Sequence, residues 1–421
     1  MTSTAAAAPL RLMAPLDQLM WKLQCDAPHQ ATVTVLAYLE PPADLAQLTS
    51  WHEELTQHYP RLTHRVGGSA HRPYWEADPH FALEDHLVHI SLGKEAGEEA
   101  FSRLLHALVN TSFPADSAPW QAYLVDGVQG GDGVLYILKI SHALADGLQI
   151  ADLLNGRIKA SGVQPPKQVP SPLGGIRRGR VTLWRQWATT LLLPARPRKR
   201  APVPSRARRY AFFTMDLEPM KRTAKIAGGT VNDVLLCAIA RATGRYLAAR
   251  GATGPADFRA LSLVALRRPR AAHAANHFTL ASITVPARQT DTTAALRAVR
   301  AAVTAAGGPQ PADILSLAAK AARYLPAPLL IPGIKHLGRR HDFMATNVPV
   351  GKDPITIGGR RVQALFGVAP LPGTPVITTF VSYRGTCHIS LNADPAAITD
   401  LPALTDQLRT TLHEITTEPP S

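Results

Sequence analysis

The sequence predicts an α/β (α+β) protein of two mixed sheet-and-helix domains joined by a basic, proline-rich connector. Three observations carry this. Runs rich in β-branched and aromatic residues accompany amphipathic helical stretches on both sides of the chain's middle. At 421 residues the chain exceeds what one hydrophobic core usually serves, so two cores are expected. Between them, residues 156–210 carry Pro165, Pro166, Pro170, Pro172, Pro194, Pro197, Pro202 and Pro204, which argue against long regular structure. The division is therefore 1–155, 156–210 and 211–421.

In the first part, residues 31–39 (ATVTVLAYL) read as a strand. Residues 42–59 follow with Leu45, Leu48, Leu55 and Tyr59 at mostly helical spacing and Asp44 near the start. Pro60 stops that helix. The apolar run 134–140 is a further strand, and it leads directly into Ser141-His142-Ala143-Leu144-Ala145-Asp146-Gly147. In the last part, residues 230–250 form the clearest helix. Thr230 caps it with Asp233 in a capping-box arrangement, Val231, Val234, Leu235, Ala238, Tyr246 and Leu247 fall mostly on one face, and Gly251 ends it. Strands are expected at 261–266, 277–285, 375–383 and 387–391, and a final amphipathic helix at 398–415.

The connector explains the charge of the chain. Residues 153–214 contain no acidic residue and 14 basic ones, which equals the whole net charge of +14. Inside it, residues 181–193 form a short apolar piece with Trp184 and Trp187, flanked by arginines. Two readings fit residues 177–200: an amphipathic helix lying on an anionic membrane or lipid-droplet surface, or a connector whose tryptophans pack on a domain. Nucleic acid is not expected as a partner, because no recognised module accompanies the basic patch and aromatics do not interleave it.

Other classes are excluded by composition. Cys25, Cys237 and Cys387 are widely spaced and form no Cys-x-x-Cys pair, so a zinc ribbon or redox dithiol is not expected. The alanine run at the start lacks a basic segment before it, so no secretory signal is expected. No stretch reaches the roughly 18 apolar residues of a membrane span. A cytoplasmic protein, or one peripheral on the inner membrane surface, is the expectation.

The chemistry concentrates at residues 141–147. A strand delivers His142 to its end, an acid follows four residues later, and a glycine turns the chain. A neutral imidazole held in one orientation can take a proton from an attacking hydroxyl or amine. Asp146 would point away and anchor the loop, and Gly147 would permit a backbone angle that other residues avoid. The same segment also reads as an ordinary Asp-Gly turn. Ser141 is no elbow nucleophile, since Lys139 and Ala143 stand where Gly-x-Ser-x-Gly requires glycines. No His-Glu-x-x-His, phosphate loop or dinucleotide fingerprint is present.

Residues 141–147 resemble the His-His-x-x-x-Asp-Gly motif of the CoA-dependent acyltransferase superfamily. Further segments select the bacterial wax ester synthase/diacylglycerol acyltransferase family within it. Ala14-Pro15-Leu16-Asp17 is similar to its Pro-Leu-Asp start, and Trp75, Asp78-Pro79, Phe81 and His86 to a following segment. Ala118-Pro119-Trp120 resembles its Pro-Leu-Trp motif, and Asn232-Asp233 its Asn-Asp helix start. Thr346-Asn347-Val348-Pro349 and Ser382-Tyr383-x-Gly385 match two C-terminal segments.

This resemblance implies two chloramphenicol-acetyltransferase-like domains with a tunnel between them, and acyl-CoA as co-substrate with no bound cofactor or metal. The other substrate would be a long-chain alcohol or diacylglycerol. It makes His142 the general base and Asp146 a structural acid, with Arg65 as the partner of Asp146. Asn232, Asp233, Asn276, Asn347 and Ser382 become candidate substrate contacts. Asn232 also reads simply as a cap, and Trp75 and Trp120 read as core. The chain departs from the pattern at Ser141 (first motif histidine), Ala118 (leucine) and Ala275 (glycine), and it is short for the family. These departures bear on the acceptor. Two rivals remain: an ester- or amide-forming enzyme acting on a small polar acceptor, and a non-catalytic binder of acyl chains or a carrier protein. Aliphatic tunnel walls favour the lipid reading; charged walls favour the polar one.

Overall fold

The computed structural model describes residues 11–24, 31–69, 72–93, 97–128, 132–156, 207–265 except 253 and 256, 278–286, 291–306 and 318–417 except 320 and 372. The first part runs β1 (Arg11–Leu12), α1 (Pro15–Gln24), β2 (Thr32–Leu39), α2 (Leu45–His58), β3 (His64–Ser69), β4 (Arg72–Ala77), β5 (Leu87–Ser91), α3 (Glu98–Asn110), β6 (Trp120–Val128), β7 (Gly133–Ser141) and α4 (Gly147–Leu154). The second part begins β8 (Arg209–Asp216), α5 (Leu217–Ile226), α6 (Val231–Ala248), β9 (Asp257–Ala265), β10 (Phe278–Pro286), α7 (Thr292–Ala306) and α8 (Ala327–Arg339). It ends β11 (Phe343–Gly351), β12 (Thr356–Ile357), β13 (Arg360–Val368), β14 (Val376–Tyr383), β15 (Thr386–Ala393) and α9 (Leu401–Thr417).

Local chemistry sets these boundaries. Asp44 caps α2 through Ala46 N–H at 3.2 Å, and the helix stops before Pro60 because proline disfavours helical backbone ahead of it. Thr230 and Asp233 form the foreseen capping box at the start of α6. Past the other end of α6, Gly251 takes φ +67° and Ala252 N–H donates back to Leu247 O. That left-handed step is why glycine stands there.

Two six-stranded sheets result, in the orders β12-β13-β2-β7-β6-β5 and β10-β9-β11-β14-β15-β8. The first sheet corrects the expected division of the chain: β12 and β13 come from residues 356–368, yet they extend the N-terminal sheet. β13 pairs antiparallel with β2, Leu365 opposite Ala37 and Phe366 opposite Leu36. β13 also packs on the second sheet. Ser390 Oγ donates to Gly367 O, and Asn392 Nδ2 donates to Ala369 O at 3.0 Å. Tyr383 of β14, 1% exposed, donates to Val362 O at 3.1 Å and accepts from Ile355 N–H at 2.9 Å. α1 is tied across as well, with Lys22 Nζ donating to the carbonyls of Ala322 and Leu325.

Cys237 and Cys387 are free and buried, and burial raises their thiols to about 11 and about 12. Neither is an accessible nucleophile. Cys25 and the connector segment 177–200 lie outside the described residues.

Two buried histidines stay neutral. His52 Nδ1 faces Leu48 O at 2.9 Å, so Nδ1 donates and Nε2 accepts from the Tyr136 hydroxyl at 3.1 Å. His388 sits against Phe366 and Tyr383, with ring centroids at 5.1 and 6.3 Å and no hydrogen-bond partner among the described residues. Burial lowers both from the usual 6.5 to about 4.

Two outcomes are expected. Tyr383→Phe leaves Ile355 N–H and Val362 O unpartnered in the seam and should lower stability by roughly 1–3 kcal/mol in urea unfolding. For the histidines, the unfolded chain takes up protons below pH 6.5 while the native state does so only near 4. Their contribution is therefore whole above pH 6.5 and lost as pH falls toward 4. The urea midpoint should drop over that window, and less steeply in His388→Leu.

Candidate active site

The site starts where β7 ends. Ser141 is fully buried, and its N–H donates to Pro119 O at 2.9 Å. Its hydroxyl oxygen accepts Ala143 N–H at 3.3 Å, and its carbonyl accepts Leu144 N–H at 2.9 Å. Ser141 is thus a turn former whose side chain is spent on the loop backbone. His142 N–H donates to Ala31 O at 2.7 Å, and Tyr59 Oη donates to Leu144 O at 3.2 Å. Ala143, Leu144 and Ala145 are buried. A loop with three external tethers and an apolar underside holds His142 in one place.

Pro119 belongs to Ala118-Pro119-Trp120, so that segment acts from behind the loop. Trp120 is buried, donates from Nε1 to Leu62 O at 2.7 Å, and lies stacked between His52 and His86, with centroids at 5.5 and 4.6 Å. Trp120 and Trp75 are core residues, as their sequence context indicated.

Asp146 is 4% exposed and caps α4. Its Oδ1 accepts Gln149 N–H at 2.8 Å, and Gln149 Oε1 accepts Asp146 N–H at 3.3 Å. A carboxylate at a helix N-terminus is favoured by the backbone dipoles. Arg65, the expected partner of Asp146, instead donates from Nε to Glu76 Oε1 at 2.9 Å across the β3–β4 hairpin. Gly147 corrects a second expectation. Its backbone is not in the left-handed region; a Cβ there would stand 3.3 Å from Val348 Cγ2 of β11. Glycine here suits the close approach of α4 to the second sheet rather than a special angle.

His142, half-buried, lines a cavity of about 230 Å³ between the two sheets. One wall holds Ala31, Val33 and Val35 of the β2 region with Asp146, Gly147 and Ile150. Leu365 to Gly367 of β13, the strand paired with β2, extend that wall, and the other holds Thr346, Asn347 and Val348 of β11 with Ile377, Thr379 and Val381 of β14. α1 contributes Leu19, Met20 and Leu23, and α8 contributes Ile334, Lys335 and Leu337. The lining is predominantly aliphatic. Asn347 brings a buried Oδ1 with no hydrogen-bond partner among the described residues.

The structure thus gathers His142, Asp146, Gly147 and Asn347 around one space, with Ser141 directly beneath. Asn232 and Asp233 stand at the start of α6 and do not line it. Asp233 Oδ2 accepts from Thr230 N–H at 2.7 Å and Oγ1 at 2.9 Å, with Arg300 Nη1 at 3.7 Å. Ser382 alternates with the lining residues Thr379 and Val381 along β14 and faces away. Asn276 lies outside the described residues. Sequence reasoning missed Thr379, Gly367 and Lys335. The period-two alternation of 377, 379 and 381 was the available signal for the first. For Gly367 and Lys335, no local pattern marks the cavity, because it forms only when the sheets meet.

Residues 13–193 match the family model described as the wax ester synthase/diacylglycerol acyltransferase catalytic domain, and residues 274–416 match that family's C-terminal domain. A putative diacylglycerol O-acyltransferase of Mycobacterium tuberculosis is 24% identical, covering 92% of this chain and 88% of the relative. A second protein of that description from the same species is 26% identical over 78% and 79%. Among solved structures, a wax ester synthase/diacylglycerol acyltransferase from Marinobacter aquaeolei VT8 is similar at TM-score 0.67 and 20% identity, over 96% of this chain and 98% of that one. The first condensation domain of the calcium-dependent antibiotic synthetase gives TM-score 0.65 at 16% identity, over 99% and 98%. With both family models matched in order and the fold shared along nearly the full chain, the protein is an acyltransferase that belongs to the wax ester synthase/diacylglycerol acyltransferase family.

Proposed function

We propose that this chain transfers the acyl group of acyl-CoA to the hydroxyl of a long-chain alcohol or diacylglycerol, with His142 as general base. The observation that carries this reading is His142 on the wall of a largely aliphatic inter-sheet cavity. His142 takes the hydroxyl proton as the alcohol oxygen attacks the thioester carbonyl. The tetrahedral oxyanion then collapses, the C–S bond breaks, and the CoA thiolate leaves and recovers the proton from the imidazolium. The products are the ester and free CoA. No acyl-enzyme forms, in keeping with buried cysteines and a Ser141 hydroxyl engaged with the loop. Asp146 acts through the loop and α4 and not on the proton.

The walls also bear on the acceptor. Asp146 and Lys335 are the charged side chains among the lining residues, and the rest of the surface is dominated by Leu, Ile, Val, Ala and Met. That composition favours an alkyl or acylglycerol acceptor over a small polar one. The name of the mycobacterial relatives points the same way. A role at the inner membrane surface through residues 177–200 belongs to this proposal. Among the described residues, no single helix is long and apolar enough to cross a membrane.

The direct test follows free thiol released from palmitoyl-CoA across a panel of alcohols, diacylglycerols and amines, with product masses read in parallel. His142→Ala should slow release by roughly 10²–10⁴-fold. Release at the wild-type rate with every acceptor would remove the base assignment, and release by the wild-type protein only with small polar amines would favour the rival acceptor class. Gly147→Ala forces α4 away from Val348 by a few tenths of an ångström and should lower kcat about tenfold while leaving the unfolding midpoint nearly unchanged.

A further inference from the structure

Helix α8 has two faces with different surroundings. Ile334, Lys335 and Leu337 line the cavity that holds His142. Outward, Leu329 is 64% exposed, and Tyr324 in the preceding turn is 55% exposed. These are two of four large apolar side chains that stand exposed among the described residues. Leu329, Pro332, His336 and Arg339 are all exposed and follow one another at helical spacing, so they form one outward stripe, apolar at its start and basic at its end. Arg323 is exposed beside Tyr324.

The charge around this stripe is one-sided. Residues 314–341 contain no Asp or Glu, and on the outward side Arg323 and Arg339 are exposed. An apolar tip on a segment whose charged residues are all basic has the chemistry of a surface that seats its side chains among acyl chains and its charges among anionic head groups. An acidic protein would satisfy the charges, but it would not explain why the same helix forms a wall of an aliphatic cavity.

We propose that α8 and the turn before it dock the enzyme on an anionic phospholipid surface, bringing a wall of the cavity against the source of its lipid substrate. This rests on the lipid acceptor proposed above, and it adds a surface contact separate from the one proposed for residues 177–200.

The test is co-sedimentation of the full chain with vesicles of phosphatidylcholine, with and without phosphatidylglycerol. Binding to the anionic vesicles should weaken as salt rises. The Y324S/L329S double variant, and separately Arg323→Glu, should each lower that binding, the double variant by about tenfold. Thiol release with a water-soluble short-chain acyl-CoA and alcohol should stay at the wild-type rate in both, which confirms that they fold, while esterification of vesicle-borne diacylglycerol falls. Wild-type vesicle binding by both variants, no binding by the wild-type chain, or loss of binding only on deletion of residues 177–200 would each overturn the proposal. Vesicle binding that depends on Leu329 in a protein that releases no thiol with any acceptor would instead sink the catalytic reading and leave the surface standing.

Discussion

Antiparallel hydrogen bonding between residues 362–368 and 34–39 joins the last third of the chain to the first sheet, and the cavity exists because of it. β13 belongs by pairing to one sheet and by packing to the other. Its Leu365, Phe366 and Gly367 continue the wall begun by the β2 region, while the carbonyls of Gly367 and of Ala369 just beyond it accept from Ser390 and Asn392 of β15. The two sheets cannot drift apart without breaking either that strand pairing or several buried polar bonds. A packed, bonded seam is what lets a cavity of about 230 Å³ persist between them.

Against that fixed seam the loop that carries His142 is built from backbone contacts. Three segments distant in sequence (Ala31, Tyr59 and Pro119) each supply one hydrogen bond to residues 141–144. Ser141 shows how the loop tolerates its departure from two adjacent histidines. The position faces the loop interior, where a hydroxyl accepts one amide and needs no ring. The proposed proton transfer needs one imidazole at the cavity wall, and His142 is that group.

Much of this was legible in the sequence, for identifiable reasons. The helix at 231–248 announced itself through Thr230, Asp233 and Gly251, because caps and left-handed turns are local events. The strands at 32–39, 133–141, 376–383 and 386–393 were equally visible, since buried strands leave dense apolar runs. His142 was found because a strand end, an acid and a glycine fall within seven residues. What was not legible is non-local. Nothing within residues 356–368 says which sheet they join. The sequence order places Asn232, Asp233 and Ser382 among motif segments, but Asn232 and Asp233 do not line the cavity and strand alternation turns Ser382 away from it. Gly147 was foreseen as important for the wrong physical reason. Its conformation is ordinary, and the neighbour that excludes a side chain, Val348, lies two hundred residues away.

The crossing of β13 also governs how the chain comes to be. The edge of β2 that it covers is made early, and its partner is made more than three hundred residues later. At about 5–20 residues per second, roughly a quarter of a minute to a minute passes on the ribosome with that edge unpaired. An uncovered strand edge is a template for pairing with another chain. A product truncated before residue 356 would keep β2, β5, β6 and β7 of the first sheet, yet present a bare edge beside a half-built cavity. Shielding of the nascent chain until the last third emerges would keep that edge from pairing with another copy.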